Sequence, residues 1–151
     1  MNMAREQISI KNKKASFEYS FLVSFTAGIM LTGTEVKAIR EGKATLSDSF
    51  CILANGDLWV KNMHISEYKQ GSYNNHEPKR LRKLLLNKSE LVKIQSKLKE
   101  KGVTIIPIQL FFNERGLAKL EIALARGKKT FDKREDIKKK DQQREIARVT
   151  R

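Results

Sequence analysis

The residue types that most often carry chemistry are few and widely spaced in this sequence. His64 and His76 lie 12 residues apart, and Cys51 lies 13 residues before His64. Structural zinc sites use ligands only about two to five residues apart within each pair, so we predict no metal site. His64 ends an apolar segment, where it is either a hydrogen-bonded structural residue or an RNA contact. Cys51 alternates with core residues, as a small buried hydrophobe does.

Carboxylates and hydroxyls form no catalytic pattern. Acid–base catalysis would need two converging carboxylates, and Glu35 and Asp48 are simply the acids nearest to apolar segments. Ser47, Asp48 and His64 are a nominal triad without any supporting geometry. The segment GTEVKAIREGK lacks the glycines of a phosphate-binding loop. We therefore predict no catalytic site and no metal site, and we expect Glu35 to pair with a nearby Lys or Arg.

The net charge indicates the kind of binding partner more clearly than the histidines, cysteine and carboxylates do. The 151 residues include 31 Lys and Arg against 17 Asp and Glu, a formal net charge of +14. Such an excess neutralises phosphates and releases their counterions, so a nucleic acid is the favoured partner. Anionic lipid fits less well, because the basic C-terminal segment lacks the Trp, Phe and Leu face of an interfacial helix. A merely solubilising surface is the third alternative.

Length and composition predict one domain with a basic tail. Residues 1–127 hold enough apolar residues for a modest core, and residues 128–151 hold ten basic side chains, five acidic ones and few large apolar ones. No stretch approaches the ~18 apolar residues of a membrane span. Nor does the N-terminus hold a signal-peptide core, and a lone cysteine indicates a reducing compartment. We predict a cytoplasmic protein whose tail is disordered until it meets a partner.

The apolar pattern predicts about six or seven short strands. Residues 17–33 are β-rich, with a turn expected at Ala27-Gly28. FCILANGDLWVKNMHI is typical of a hairpin, because Asn55-Gly56 takes positive φ easily. LRKLLL is a further short strand.

A second hairpin is expected near the end of the domain, where TIIPIQLFF and LAKLEIALA flank the turn NERG. Pro107 indicates an edge or a bulge on the first of its strands. In the second strand Lys119 and Glu121 face away from the apolar side.

Two helices are predicted between the strands. Thr34 is the expected N-cap of the first, which Gly42 ends. Asn87 and Glu90 form a capping pair for the second. The buried stripe of that helix consists of Leu91, Ile94 and Leu98. Short strands at this spacing with helices at their ends predict a mainly β fold, an OB-like antiparallel barrel with a flexible basic C-terminal tail.

Longer strings carry a more specific signal. GTEVKAIREGKA, RKLLLNKSEL and GKKTFDKR are the most telling, and NKKASFEY, ANGDLWVKNMHI and KGVTIIPIQLFF accompany them in one order along nearly the whole chain. On these strings the sequence resembles the SsrA-binding protein family, also called small protein B.

The resemblance implies an OB-like barrel that binds the tRNA-like domain of transfer-messenger RNA (tmRNA) and delivers it to stalled ribosomes in bacterial trans-translation. It implies neither catalysis nor a cofactor. The expected partners are tmRNA and the small-subunit rRNA of the decoding centre and mRNA channel, with no membrane and a monomeric protein. A generic basic ribosome- or RNA-associated protein is the alternative function.

Basic residues of the barrel and one leucine are the candidates for tmRNA contact. If residues 82–86 form a strand, Arg82 and Lys83 face opposite ways, and each contacts phosphate or only solvent. Leu85 packs on an unstacked base if it points outward and in the core otherwise. The full set is Arg40, Lys43, His64, Arg80, Arg82, Lys83, Leu85, Lys119 and Lys128.

The resemblance assigns the tail to the ribosome, where residues from about 135 to 149 would form a helix with Arg144 and Arg148 on one face. Phe131 either stacks on a base or packs against the end of the barrel. Val149 would make a small apolar contact. The full set is Lys129, Phe131, Asp132, Lys133, Arg134, Ile137, Lys138, Lys139, Arg144, Arg148 and Val149.

The sequence departs from the family pattern at three positions. Thr26 stands where the family commonly has an acidic residue, so a carboxylate contact with RNA is not carried over to it. Phe131 replaces a Tyr or His, which keeps stacking and removes a hydrogen bond. Val149 is followed by Thr150, which weakens the apolar pair near the end of the tail.

Overall fold

The computed structural model describes residues 8–69 and 75–128, and within these ranges it contains three helices and two antiparallel sheets. The strands are β1 (Ser9–Lys11), β2 (Tyr19–Ile29), β3 (Ala44–Thr45), β4 (Phe50–Ala54), β5 (Asp57–Lys61), β6 (His64–Ile65), β7 (Arg82–Leu85), β8 (Val103–Phe112) and β9 (Ala118–Gly127), and the helices are α1 (Lys13–Glu18), α2 (Gly33–Arg40) and α3 (Lys88–Leu98). All tail residues assigned to the ribosome lie outside the described residues.

The larger sheet closes on itself. Its strand order is β1-β8-β4-β5-β7-β2-β9, and β8 pairs with β9 as well, which closes β8, β4, β5, β7, β2 and β9 into a ring. β1 pairs with β8 next to the ring, and β3 and β6 form a separate small sheet. The predicted mainly β, antiparallel class is confirmed.

Both predicted hairpins are present. Asn55 and Gly56 have φ values of 54° and 81°, the left-handed pair that a tight hairpin turn between β4 and β5 requires. In the second hairpin the register between β8 and β9 shifts between Pro107 and Gln109. The predicted bulge at Pro107 is therefore confirmed.

The turn predicted at Ala27-Gly28 is wrong, because β2 runs straight through it. Gly28 pairs with Leu85 of β7 on one side and with Lys119 of β9 on the other. A Cβ on Gly28 would lie 3.3 Å from the Cβ of Leu85. The glycine at this position therefore serves a close approach of neighbouring strands rather than a reversal of the chain.

The two predicted helices are confirmed, with one correction. The N-cap of α2 is Thr32, not Thr34: the Thr32 hydroxyl accepts from the Glu35 backbone N–H, and the Glu35 carboxylate accepts from the Thr32 backbone N–H at 2.8 Å. α3 has its predicted capping box from Asn87. Helix α1 was not predicted.

The main core fills the interior of the ring, where Leu58, Leu84 and Leu120 are fully or almost fully buried. Cys51 is buried there, as predicted, and burial raises the pKa of its thiol. A second, smaller cluster lies under α1 and includes Ala15 and Ala125. This second cluster covers part of the outer surface of β8 and β9, and so limits where a ligand has access to the sheet.

Candidate nucleic-acid interface

One outward-facing row of residues crosses four strands of the ring. Directly opposed residues of antiparallel strands project to the same face, and the register aligns Leu85, Gly28, Lys119 and Phe111 in this order. We call these residues the lysine row. It brings together two of the predicted RNA contacts, Leu85 and Lys119.

Leu85 points outward in this row. Its side chain is 50% exposed, whereas its neighbour Leu84 is buried. The alternation predicted for this strand is therefore present, and of the two readings of Leu85 the outward one is correct. Gly28, which has no side chain, lies between Leu85 and Lys119, and the Leu85 side chain lies close against its backbone.

Lys83 projects from the same face as Leu85, two residues earlier on β7. Its Nζ lies 3.5 Å from a carboxylate oxygen of Asp57, and both side chains are partly exposed. An exposed pair of this kind contributes at most about 1 kcal/mol. A phosphate can therefore replace Asp57 as the partner of Lys83 at little cost.

A second row lies next to the lysine row and is polar. Thr26 of β2, Glu121 of β9 and Gln109 of β8 are opposed in register. We call them the polar row. Thr26 is exposed, and the side-chain amide of Gln109 donates a hydrogen bond to the Ser9 hydroxyl. The two rows, with Lys83 beside them, together offer apolar side chains, two cations and hydrogen-bonding groups on one surface.

Arg82 is not part of this surface, which corrects its assignment as an RNA contact. Its side chain is 0% exposed. Its Nε donates to Glu35, and its terminal nitrogens donate to the carbonyl oxygens of Met63 at 2.6 Å and Pro78 at 3.0 Å. All of its nitrogens have partners inside the protein, so none is available to a phosphate.

Arg80 shares the same carboxylate. A terminal nitrogen of its guanidinium lies 2.7 Å from Glu35 Oε1 and 3.2 Å from the carbonyl oxygen of Met30. We call Glu35, Arg80 and Arg82 the buried cluster. The Arg80 side chain is 36% exposed, so it lies at the edge of this cluster. The prediction that Glu35 pairs with a nearby basic residue is confirmed.

Two opposing influences set the pKa of Glu35. Burial disfavours the charged carboxylate and by itself raises the pKa. Hydrogen bonds from Arg80, the Thr32 backbone and Arg82 outweigh it, so the pKa of Glu35 lies below its ordinary value. Glu35 is thus ionised at neutral pH and holds two guanidinium groups between α2 and β7.

The histidines have different environments. His76 is buried between the Thr34 hydroxyl, 2.9 Å from its Nδ1, and the Ile65 carbonyl oxygen, 2.9 Å from its Nε2. His64 is half-buried in β6, opposite Thr45, and so belongs to the small sheet rather than to the two rows. Within the described ranges no His, Cys, Asp and Glu side chains cluster as metal ligands do.

The remaining predicted contacts lie away from the two rows. The Arg40 guanidinium lies over the Phe112 ring, 5.4 Å from its centroid. Lys43 follows α2 and pairs with Glu41 at 3.2 Å. Lys128 follows β9, and its backbone N–H donates to the Glu18 carbonyl oxygen at 2.8 Å. Only Lys83, Leu85 and Lys119 of the predicted set therefore share one face of the sheet.

Sequence reasoning missed Asn12, whose side chain joins three parts of the fold. Its Nδ2 donates to the carbonyl oxygens of Leu46 at 3.2 Å and Pro107 at 2.9 Å, and its Oδ1 accepts from the Ala15 backbone N–H. An Asn just before a short helix is the N-cap signal that could have revealed α1.

In the part of the chain that the structure describes, no helix is long and apolar enough to cross a membrane.

A small closed ring of antiparallel strands, a net charge of +14 and an outer face that joins lysines to an exposed leucine define a nucleic-acid-binding β protein. The family model described as SmpB protein matches residues 9–151. The chain belongs to the SmpB, or SsrA-binding protein, family.

Similar proteins cover almost the whole chain. The SsrA-binding protein of Bacteroides thetaiotaomicron is 60% identical over 97% of this chain and 98% of its own length. That of Phocaeicola vulgatus is 61% identical over 94% of this chain and 95% of its own length. A solved structure described as "tmRNA-SmpB: a journey to the center of the bacterial ribosome" is 45% identical, covers 82% of this chain and 86% of the other, and has a TM-score of 0.69.

Proposed function

We propose that this chain is the adaptor that binds tmRNA and accompanies it to stalled ribosomes in trans-translation, in the bacterial cytoplasm. Family membership and the likeness to an SmpB chain described together with tmRNA and the ribosome support this function. The observation that carries it is the lysine row, with Leu85 and Lys119 on either side of Gly28.

The outer face suits a folded RNA. Folded RNAs are recognised through backbone phosphates, 2′-hydroxyls and unstacked loop bases. Lys83 and Lys119 contact phosphates, and the exposed face of Leu85 packs against an unstacked base. The Leu85 side chain lies close against the Gly28 backbone, so a planar group that approaches the sheet here meets that side chain.

The buried cluster supports this face from behind. Arg82 precedes Lys83 on β7, and its bonds to Glu35 tie the start of that strand to α2. Arg80 adds a second link between the segment before β7 and the same carboxylate. Lys83 and Leu85 are therefore held on a strand whose position is fixed from inside the protein, which reduces the ordering cost of binding.

Residues 128–151 serve the ribosome in this proposal, and residues 1–127 serve tmRNA. The tail has an excess of basic side chains for rRNA phosphates and carries Phe131 for stacking on a base. That it becomes helical only when rRNA binds it is a prediction from the sequence, and residues 129–151 lie outside those that the structure describes. The protein itself catalyses nothing, so incubation with RNA should leave the RNA uncleaved.

A binding titration tests the RNA-binding function. The protein should bind the tRNA-like domain of tmRNA more tightly than an unstructured RNA of equal length and more tightly than duplex DNA, and binding should weaken steeply with salt. Equal affinity for the two RNAs would contradict recognition of a folded shape. Equal affinity for DNA would favour a generic basic ribosome- or RNA-associated protein.

A truncation tests the division of labour. Removing residues 128–151 should leave binding to the tRNA-like domain nearly unchanged and abolish tagging of stalled chains in a reconstituted translation system. The full chain, assayed in parallel, is the control. Tagging by the truncated protein would show that the tail has no part in rescue.

A further inference from the structure

Glu121 has an unusual place for an acidic residue in a strongly basic protein. It projects from β9 on the same face as Lys119, two residues away, and is half-buried. Opposite it stand Thr26 on one side and Gln109 on the other, neither of which carries a charge. The carboxylate thus lies inside the surface proposed above to bind RNA phosphates.

No cation of the described residues neutralises Glu121. The other acid at this face, Asp57, pairs with Lys83 at 3.5 Å. Within residues 8–69 and 75–128, Glu121 has neither an ion pair within 4.0 Å nor a side-chain hydrogen bond, and the Gln109 amide that opposes it donates to Ser9 instead. Its lone pairs are therefore open to an external donor.

Electrostatics alone makes this arrangement unfavourable for RNA binding. An unpaired carboxylate repels the phosphates that the neighbouring lysines attract. Phosphate groups of RNA carry no hydrogen-bond donor, whereas 2′-hydroxyls and the N–H groups of base edges do. A carboxylate thus strengthens binding only where the RNA turns a donor toward it.

We propose that Glu121 is a specificity residue that accepts a hydrogen bond from a donor group of the bound RNA, either a 2′-hydroxyl or a base N–H. This inference rests on the proposed function, because it places the RNA across the lysine row and the polar row. Thr26 offers its exposed hydroxyl beside the carboxylate, and Gln109, whose amide already donates to Ser9, lies on the other side. An RNA without a donor at this point meets repulsion instead, which is how a negative charge adds discrimination.

The substitution Glu121→Gln separates this role from simple repulsion, because it keeps the size of the side chain and removes its charge. If Glu121 accepts a hydrogen bond, the variant should bind the tRNA-like domain of tmRNA about 3- to 10-fold more weakly, because the Gln oxygen still accepts but lacks the charge that makes such a bond about twice as strong, and an unstructured RNA slightly more tightly. If Glu121 only repels phosphates, both RNAs should bind more tightly, and the inference is overturned.

Glu114→Gln is the matched control, because it removes the same charge from the exposed turn of the same hairpin. It should bind both RNAs as the wild type does or slightly more tightly. Glu121→Thr, which suits a strand, provides a second variant that should repeat the loss. Thermal unfolding of each variant checks that the fold is intact.

Modified RNAs identify the donor. If it is a 2′-hydroxyl, 2′-deoxy substitution in the loops of the RNA should weaken wild-type binding and abolish the difference between wild type and Glu121→Gln. If it is a guanine amino group, inosine in place of guanosine should do the same. If no substitution that removes a 2′-hydroxyl or a base N–H reduces that difference, Glu121 accepts from neither kind of donor and the inference is wrong.

Failure of the inference is distinguishable from failure of the proposed function. If wild-type protein shows no preference for the tRNA-like domain, the proposed function itself is wrong. If wild type has that preference and Glu121→Gln keeps it in full, only the role of Glu121 is wrong.

Discussion

The outer face and the buried cluster both contain basic side chains paired with carboxylates, but these side chains have different roles in the two regions. In the buried cluster, Arg82 is enclosed and Glu35 satisfies it, so its charge holds α2 to β7. One residue along the same strand, Lys83 faces outward and pairs only with a partly exposed carboxylate. Burial, rather than residue type, decides which cations of a basic protein are available to RNA.

Removing the central carboxylate of the buried cluster should give the largest effect, which is a loss in the free energy of unfolding. Glu35→Ala leaves the Arg82 guanidinium enclosed without a counter-charge, and we expect a loss of about 3–5 kcal/mol in the free energy of unfolding. Urea denaturation measures it. Glu18→Ala, which removes a partly exposed partner of Lys14 at 3.8 Å, is the control and should cost at most ~1 kcal/mol. Equal losses would mean that enclosure of the cluster does not matter.

Removing the outward lysines should affect RNA binding and leave stability almost unchanged. For Lys83→Ala and Lys119→Ala, each lost phosphate contact should lower the slope of log affinity against log salt by about 0.9, or nearer 0.7 for single-stranded RNA. The unfolding free energy should change by no more than ~0.5 kcal/mol. Lys101→Ala, exposed in the turn before β8, should leave the slope unchanged. Unchanged slopes for both face variants would place the RNA elsewhere.

Lowering the pH should reduce the contribution of ionised Glu35 to the free energy of unfolding. Because the folded-state pKa of Glu35 lies below its ordinary value of 4.5, its contribution to stability is complete above that value and is lost as pH falls through the lowered pKa. The unfolding free energy of wild type should therefore fall more steeply below pH 4.5 than that of Glu35→Gln. Parallel curves would show that Glu35 has an ordinary pKa in the folded state.

The smallest expected effect concerns Cys51. Its buried thiol has a raised pKa, so alkylation by iodoacetamide should be far slower in the native protein than in urea. Rapid native labelling would mean that β4 opens readily, and would weaken the contrast between the enclosed core and the accessible outer face.

Local signals made the hairpins predictable. Asn55-Gly56 specifies its turn within the sequence itself, and the alternation of β7 correctly placed Leu84 and Leu85 on opposite faces. The prediction failed where a residue contacts strands that are distant in the sequence. Gly28 resembles a turn glycine in sequence, and only the pairing of β7 and β9 with β2 shows that it permits a close approach.

The buried cluster left a partial signal. The alternation already placed Arg82 on the same face as Leu84, and a basic residue on a core-facing position requires a buried counter-charge. The spacing of Thr32 and Glu35 is that of a capping box, which the prediction from Thr34 overlooked. The pairing of Glu35 with Arg82 itself joins α2 to β7, and no local pattern specifies such a contact.

The closure of the ring also bears on how the chain acquires its fold. Tyr19 pairs with Gly127, at nearly opposite ends of the described chain, and β2 stays without its longest partner until β9 has been synthesised. Contacts of such high sequence separation slow folding. During synthesis the apolar side chains of β2 therefore remain without their cover from β9 until almost the last described residue has left the ribosome.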